Sequence, residues 1–388
     1  MMPKSHRLTS GHWISRARRS GAAAVSLAGL WLLLSAPALP PGSYTFTQVS
    51  GSPFTFGGVG FFAQFPSQVV FSPKGTLLVS NTGSEIFAQK AFKAGVGTPS
   101  PSSITPGYSF CKYPKGFALG ALHGGRFDSA AFSLNGALLA AVAEPDVSPV
   151  KGEPTGGSLH IYRVRGTRFL NGSCRTLPKY GYAVAFGPAG LLAVTNGRNG
   201  TVTLYSVTAA GKTHQISVLT TGKPPHAVAF GPTQSGGEAL AVTNGGDNTV
   251  STFTVSGTIV APAAGSPFPT VAGPDSVAFS ANGLLAVAGS TGNLVNVYSV
   301  SYTGALSGVG AAHADDPMSV AFSTTGKLLG SADSSDVSVF SVATSGLLSP
   351  AFAVSTGASS IAFDHHAFLF ALATGKGTAV YHYAFPPS

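Results

Sequence analysis

Four residues whose side chains suit acid–base or binding chemistry occupy equivalent positions in copies of a repeated sequence motif. Each stands four residues before the Phe of a core such as PDSVAFSANG. An imidazole beside carboxylates can act as a general base toward water, and a phenol can hold a ligand. The four are Asp128, Tyr182, His226 and Asp275, and the other repeats have Ser67, Met318 and Ser359 at this position.

Two kinds of site can be built from these residues and from polar loop residues predicted on the same face. For hydrolysis we expect His226 to be the base, with Arg198 and Asp275 orienting the substrate, because a guanidinium can hold an oxyanion. For binding we expect a ligand to contact a wider set. That set is Asp128, Tyr182, His226, Asp275, Asn196 and Asn244. Polar side chains at a wet channel mouth also occur without any function, so both interpretations stand beside this simpler one.

A metal or cofactor is only weakly indicated. Asp128 and Asp275 with a loop Asn could hold a hard cation such as Ca²⁺, which prefers oxygen ligands. The chain has only two cysteines and no CxxC pair, so a zinc site lacks its ligands. No GxSxG or HExxH motif occurs either. We therefore expect no cofactor, with Ca²⁺ as the open alternative.

The repeated motif predicts the fold. Its anchor phenylalanines are separated by 61, 54, 44, 49, 43 and 41 residues, and a period near 40–50 with strand-rich content is typical of propeller blades. The anchors are Phe71, Phe132, Phe186, Phe230, Phe279, Phe322 and Phe363. We therefore predict an all-β, seven-bladed β-propeller of four-stranded antiparallel blades.

The two ends of the chain indicate how the ring closes. The last repeat ends on its third strand, TAVYHYAF, whereas GSYTFTQVSGSPF near the beginning resembles the outer strand GTIVAPAAGSPF of a later repeat. An unpaired sheet edge is a liability, so the N-terminal strand should complete the last blade.

Residues 1–38 differ from the rest of the chain. A basic segment precedes the apolar run GAAAVSLAGLWLLLSAPA, which ends in Ala-Pro-Ala, as in a secretory signal peptide. We predict a signal peptide over 1–38 and one propeller domain over 39–388, with an uncleaved membrane anchor as the alternative. The protein is then secreted or extracytoplasmic, with no membrane span after cleavage.

Most of the positive charge belongs to this leader. Five of the 22 Lys and Arg residues and none of the 13 acidic residues lie within it, so the net charge falls from +9 to +4 on cleavage. A nucleic-acid partner would need a basic surface, and we therefore expect none.

The two cysteines remain in the exported part. Cys111 and Cys174 follow the first and second repeats, each in a long connection. An oxidising compartment favours one bridge, so we predict a Cys111–Cys174 disulfide.

Two segments resemble a known repeat. LLAVTNGRNGTVTLYSV and LAVTNGGDNTVSTFTV are similar to the YVTN repeats of lactonase-like seven-bladed β-propellers, with Ala in place of the Tyr. The resemblance covers about residues 44–385 and implies a lactone hydrolase using His226. The positions four residues before the anchor phenylalanines, called the entry positions below, however, contain no Arg or Glu. We therefore favour a secreted, monomeric binding scaffold whose channel face engages a small molecule or a cell-envelope ligand, with lactone hydrolysis as the alternative.

Overall fold

The computed structural model describes residues 45–48, 52, 67–73, 77–81, 86–90, 102–104, 127–143, 157–166, 168–177, 181–197, 199–364 and 369–384. Residues Tyr44–Ser388 form one compact unit. The predicted signal peptide, Cys111 and Arg198 lie outside the described residues. Among those that are described, no helix has both the length and the apolar character needed to cross a membrane.

The described strands form antiparallel sheets, numbered here in chain order. Sheet 1 contains β2 (Gln68–Phe71), β3 (Leu77–Asn81), β4 (Ile86–Lys90) and β5 (Ser102–Ile104). Sheet 2 contains β6 (Phe127–Phe132), β7 (Leu138–Ala143), β8 (Ser158–Arg165) and β9 (Arg168–Thr176). Sheet 3 contains β10 (Gly181–Phe186), β11 (Leu191–Asn196), β12 (Thr201–Val207) and β13 (Thr213–Thr220), with a 3-10 helix at Pro188–Gly190.

The remaining sheets repeat this order. Sheet 4 contains β14 (Pro225–Pro232), β15 (Glu238–Asn244), β16 (Thr249–Ser256), β17 (Ile259–Pro262) and the short β18 (Phe268–Pro269), which also pairs with β16. Sheet 5 contains β19 (Pro274–Phe279), β20 (Leu284–Gly289), β21 (Leu294–Val300) and β22 (Leu306–His313). Sheet 6 contains β23 (Ser319–Phe322), β24 (Leu328–Ala332), β25 (Val337–Val342) and β26 (Leu348–Val354). Sheet 7 contains β27 (Ala358–Phe363), β28 (Leu369–Thr374), β29 (Gly377–Ala384) and the N-terminal β1 (Thr45–Gln48).

The core lies between neighbouring sheets. Every residue of the second strands β11, β20 and β28 is buried, and so is every residue of β15 except Glu238, which explains why these strands are largely apolar. Two anchor phenylalanines, Phe230 and Phe279, pack against glycines of the preceding sheet, Gly187 and Gly231. A Cβ added at Gly231 would lie 2.3 Å from Phe279, so this close approach requires glycine.

A belt of side-chain hydrogen bonds joins the innermost strands. Such a strand is a sheet edge, so half of its backbone N–H groups need partners outside the sheet. Ser276 Oγ accepts the N–H of Val320 at 3.1 Å, and Gln68 Oε1 accepts that of Ala130 at 2.7 Å. The same bond recurs between Ser129 and Val184, Ser319 and Ile361, and Ser360 and Val69.

The predicted closure by the N-terminal strand is confirmed. β1 pairs antiparallel with β29, from Thr45 opposite Ala384 to Gln48 opposite Tyr381. Phe46 stacks on Phe352 of sheet 6, with ring centroids 4.5 Å apart. One short segment near the beginning of the chain thus completes the sheet built by its end.

The prediction of a seven-bladed propeller of four-stranded blades is wrong. Sheets 2 to 7 give six complete blades, whereas the outermost strand of sheet 1, β5, has only the three residues Ser102–Ile104. Sheet 4 additionally carries the fifth strand β18. The prediction counted anchor phenylalanines, and an anchor specifies only an innermost strand, not the blade that follows it.

Candidate functional site at the channel mouth

A central channel of about 1230 Å³ is enclosed by the innermost strands. All the positions four residues before an anchor Phe line it, in the order Ser67, Asp128, Tyr182, His226, Asp275, Met318 and Ser359. The sequence prediction therefore located this ring correctly. Asp128, Tyr182, His226 and Asp275 come from four consecutive sheets, so the reactive side chains occupy one side of the ring.

Irregular strand pairing turns these side chains toward the channel. The register of the innermost strand shifts between Gly181 and Val184, between Pro225 and Val228, and between Pro274 and Ser276. Tyr182, His226 and Asp275 fall within these three shifts. Extra residues of this kind re-aim a side chain out of the ladder, and they occur often beside functional sites.

His226 and Asp275 form the central contact of the site. His226 Nδ1 lies 2.7 Å from Asp275 Oδ1, and the two side chains are 36% and 31% exposed. The Oγ of Ser290 donates to Asp275 Oδ2 at 2.5 Å. Both carboxylate oxygens are therefore used within the protein, and Asp275 holds His226 rather than presenting itself to a substrate.

The surroundings of Asp275 favour its ionised form. Burial alone would raise the pKa of this carboxyl, but the hydrogen bonds from His226 and Ser290 and the charge of His226 outweigh it, so the pKa lies below the ordinary value. A carboxylate acceptor fixes the proton of the imidazole on Nδ1. The Nε2 atom is then left as a hydrogen-bond acceptor, and no described residue lies within hydrogen-bonding distance of it.

Tyr182 extends the site on the other side of His226. The two rings lie 6.0 Å apart at an angle of 51°. Gly197 and Gly245 follow the second strands of sheets 3 and 4. A Cβ added at Gly197 would lie 1.7 Å from the Tyr182 ring, and one added at Gly245 would lie 2.7 Å from the His226 ring. Glycine is needed there so that these rings can lie flat against the loop.

Ser290 is the functional residue that the sequence prediction missed. It follows the second strand of sheet 5, at the position that Gly197 and Gly245 occupy in sheets 3 and 4. The signal was present in the sequence, because this repeat has AGS at residues 288–290 where the repeats of sheets 3 and 4 have TNG. Its meaning required knowing that the position contacts the entry residue.

Asn196 and Asn244 are not brought to the channel. Both are buried at 5% and 0% exposure, and each amide donates to two hydroxyls of its own sheet. The adjacent Thr195 and Thr243 accept the N–H groups of Ala183 and Ala227 at 2.9 Å. In these two innermost strands Ala occupies the position that holds the hydrogen-bonding Ser or Gln of the belt in the other sheets. The Thr and Asn side chains therefore supply the hydrogen bonds that stabilise the strand edge and the following loop in sheets 3 and 4.

The other predicted residues have separate outcomes. Asp128 lines the channel next to Tyr182 in ring order. Cys174 lies in β9 with its Sγ 3.9 Å from His160 Nε2, and the bridge to Cys111 stays a prediction. Within the described parts of the chain, no three His, Cys, Asp or Glu side chains form a group that could hold a metal ion.

Comparisons with known proteins support the fold alone. No family model matches the chain, and no curated protein matches it. A chain of the solved Mitotic Checkpoint Complex superposes with a TM-score of 0.59 at 16% identity, covering 95% of this chain and all of that one. The RRP9 WD40 repeats give 0.58 at 11% identity, covering 89% and 98%. A Lactobacillus plantarum protein gives 0.58 at 17% identity, covering 75% and 85%. The chain is thus a β-propeller.

Proposed function

We propose that this protein is a binding propeller that holds its ligand at the channel mouth, against Tyr182 and His226, with Asp275 holding the imidazole. One observation carries the proposal: in the channel lining His226 is held by Asp275 at Nδ1 and lies beside Tyr182, while its Nε2 makes no hydrogen bond to the described residues. The other entry positions at that end are Ser, Met or a single further carboxylate. A ligand placed over sheets 3 to 5 would therefore find most of the polar groups of the ring.

The architecture supports an interaction role. A β-propeller fold is consistent with a protein-interaction scaffold, and two of the similar solved structures are a WD40 repeat domain and a chain of a checkpoint complex. For this protein we favour a small molecule or a cell-envelope ligand, bound by a secreted monomer. The leader-like residues 1–38 and the low charge of the mature chain are the support for that location.

Ligand-observed NMR tests this function directly. Residues 39–388 would be screened against a panel of sugars, lactones, amines and carboxylic acids, and every hit repeated on His226→Gln and Tyr182→Ala. We expect hits that both variants weaken. Tyr302→Ala is the control, because Tyr302 is 65% exposed and does not line the channel. Hits whose binding is unaffected by both His226→Gln and Tyr182→Ala, or a panel in which no compound binds, would contradict the proposal.

Lactone hydrolysis is the second candidate, and the contact between His226 and Asp275 favours it. A base whose Nδ1–H is held by a carboxylate can take a proton from water at Nε2, as imidazole bases in hydrolases do. The resemblance to lactonase-like YVTN propellers points the same way. In this reaction Asp275 would position the base, and the residue that holds the substrate oxyanion would be Arg198.

Proton release from aldonolactones, acyl lactones and aromatic lactones tests this candidate. Turnover should disappear in His226→Gln and fall strongly in Asp275→Asn. Adding Ca²⁺ to the same assay tests the proposal of a cation held by Asp128 and Asp275. Absence of turnover with and without Ca²⁺ would remove the hydrolase.

A further inference from the structure

We infer that the ligand of the channel mouth is an organic ammonium attached to an apolar body. This inference rests on the proposed function and specifies its ligand class. It combines the charge of the described channel lining, the acceptor atom Nε2 of His226, the neighbouring aromatic ring and the character of the wall below.

The described lining of the channel contains carboxyl groups and no permanently cationic side chain. Among the described lining residues the ionisable groups are the carboxyls of Asp128 and Asp275, the imidazole of His226 and the phenol of Tyr182. The described lining contains no Lys or Arg. Asp275 keeps its charge because His226 and Ser290 both donate to it. Such a lining attracts a cation and repels a carboxylate or phosphate.

The acceptor and the ring suit an ammonium group. Nε2 of His226 can accept one of its N–H bonds, since Nδ1 is engaged with Asp275 at 2.7 Å. The ring of Tyr182 stands 6.0 Å from that of His226 and is 39% exposed. A cation that donates to Nε2 therefore comes within reach of the Tyr182 ring, where cation–π attraction contributes about 0.5–2 kcal/mol.

The wall below the mouth suits a hydrocarbon. Ala227, Ala278 and Ala321 face the channel, and the rings of Phe230, Phe279 and Phe322 follow further along the same strands. The serines of this wall are engaged in the belt, since Ser276 and Ser319 accept backbone N–H groups. A body that follows the channel inward along these residues would contact their carbon atoms, which favours an apolar group on this side of the channel.

Calorimetric titration with three compounds of one skeleton tests the inference. Phenethylammonium, 2-phenylethanol and phenylacetate differ only in carrying a cationic, neutral or anionic end. We expect phenethylammonium to bind at least about tenfold more tightly than the alcohol, a difference of about 1.4 kcal/mol. Phenylacetate should bind most weakly. Asp275→Asn should weaken the binding of phenethylammonium by a larger factor than that of the alcohol, and so remove most of the preference for the cation.

The control is Asp315→Asn, which removes a carboxylate whose side chain is 69% exposed and which does not line the channel. Melting curves of each variant establish that it is folded. Equal affinity for all three compounds, with binding still weakened by His226→Gln, would overturn the ammonium class while sparing the mouth as a site. If phenethylammonium fails to bind, the ligand class is wrong whatever the broader panel shows.

Discussion

The contact with Asp275 makes the two ring nitrogens of His226 chemically different. Nδ1 is engaged with Asp275, and among the described residues no hydrogen bond reaches Nε2. Ser290 is the least expected part of this arrangement, since its repeat has a hydroxyl where two others require glycine. Its role is to hold Asp275, so its removal should alter the carboxyl and not the imidazole contact directly.

Ser290→Ala should raise the pKa of Asp275. The hydrogen bond from Ser290 is one of the interactions that hold this pKa below its ordinary value, and a lost donor disfavours the ionised carboxyl. Carbon-13 NMR titration of the labelled carboxyl measures the change. Ser301→Ala, in the exposed turn after β21, should leave it unchanged. An unaltered pKa in Ser290→Ala would show that the serine does not support the site.

A second titrating residue, outside the channel, should make stability depend on pH. Burial lowers the pKa of His160 to about 4 from 6.5, and its ring lies among Phe127, Tyr162 and Ser158. As the pH falls below 6.5 the unfolded chain takes up a proton that the folded chain refuses until about pH 4. The free energy of unfolding should therefore decrease by about 3 kcal/mol across this window.

Urea unfolding at several pH values measures this loss, and His160→Gln should remove it. His313→Gln is the matched control, because that imidazole is 71% exposed. A profile that is the same in wild type and His160→Gln would contradict the account of a buried neutral imidazole.

At the scale of the strand, the innermost edges explain both the serines and the Thr-Asn motif. The predicted ring of entry residues followed from strand periodicity, which is a local property and readable in one repeat. The belt was not predicted, because it joins the side chain of one repeat to the backbone of the next. Asn196 and Asn244 were assigned to the ligand for the same reason: their hydroxyl partners become visible only when the strands are paired.

Ser276→Ala should destabilise the fold by about 1–2 kcal/mol, because it leaves the N–H of the buried Val320 without its acceptor. Thermal unfolding measures the effect. Ser299→Ala is the comparison, since Ser299 lies on β21 and bonds only a carbonyl of the neighbouring β22 strand. A loss of stability no larger than that of Ser299→Ala would mean that water can satisfy the N–H of Val320 in place of Ser276.

Phe46→Ala should weaken the closing strand. Phe46 is half-buried and its ring stacks on Phe352 and meets Phe370 edge-on. Removing a ring of this kind costs about 2–4 kcal/mol, toward the lower end of the range for fully buried phenylalanine. The control is Thr47→Ala, whose side chain points to solvent from the next position. Equal melting temperatures for both variants would show that β1 does not secure the ring.

At the scale of the whole molecule, the sequence predicted the all-β propeller and its closure by the N-terminal strand, because both follow from spacing repeated along the chain. The predicted count of seven blades was wrong and the extra strand β18 was not predicted, because the anchor phenylalanines report only the innermost strands. The ligand is furthest from what repeats can reveal, since it depends on differences between copies and not on what they share.

The central claim is that Asp275 holds His226 with Nε2 directed into the channel. Long-range ¹⁵N–¹H NMR of histidine-labelled protein at pH 8 measures this directly, with His226→Gln used to assign the resonances. The account predicts that the neutral imidazole of His226 carries its proton on Nδ1 and that Asp275→Asn changes this state. A proton on Nε2 of His226 in the wild type, or a spectrum unaltered by Asp275→Asn, would contradict it.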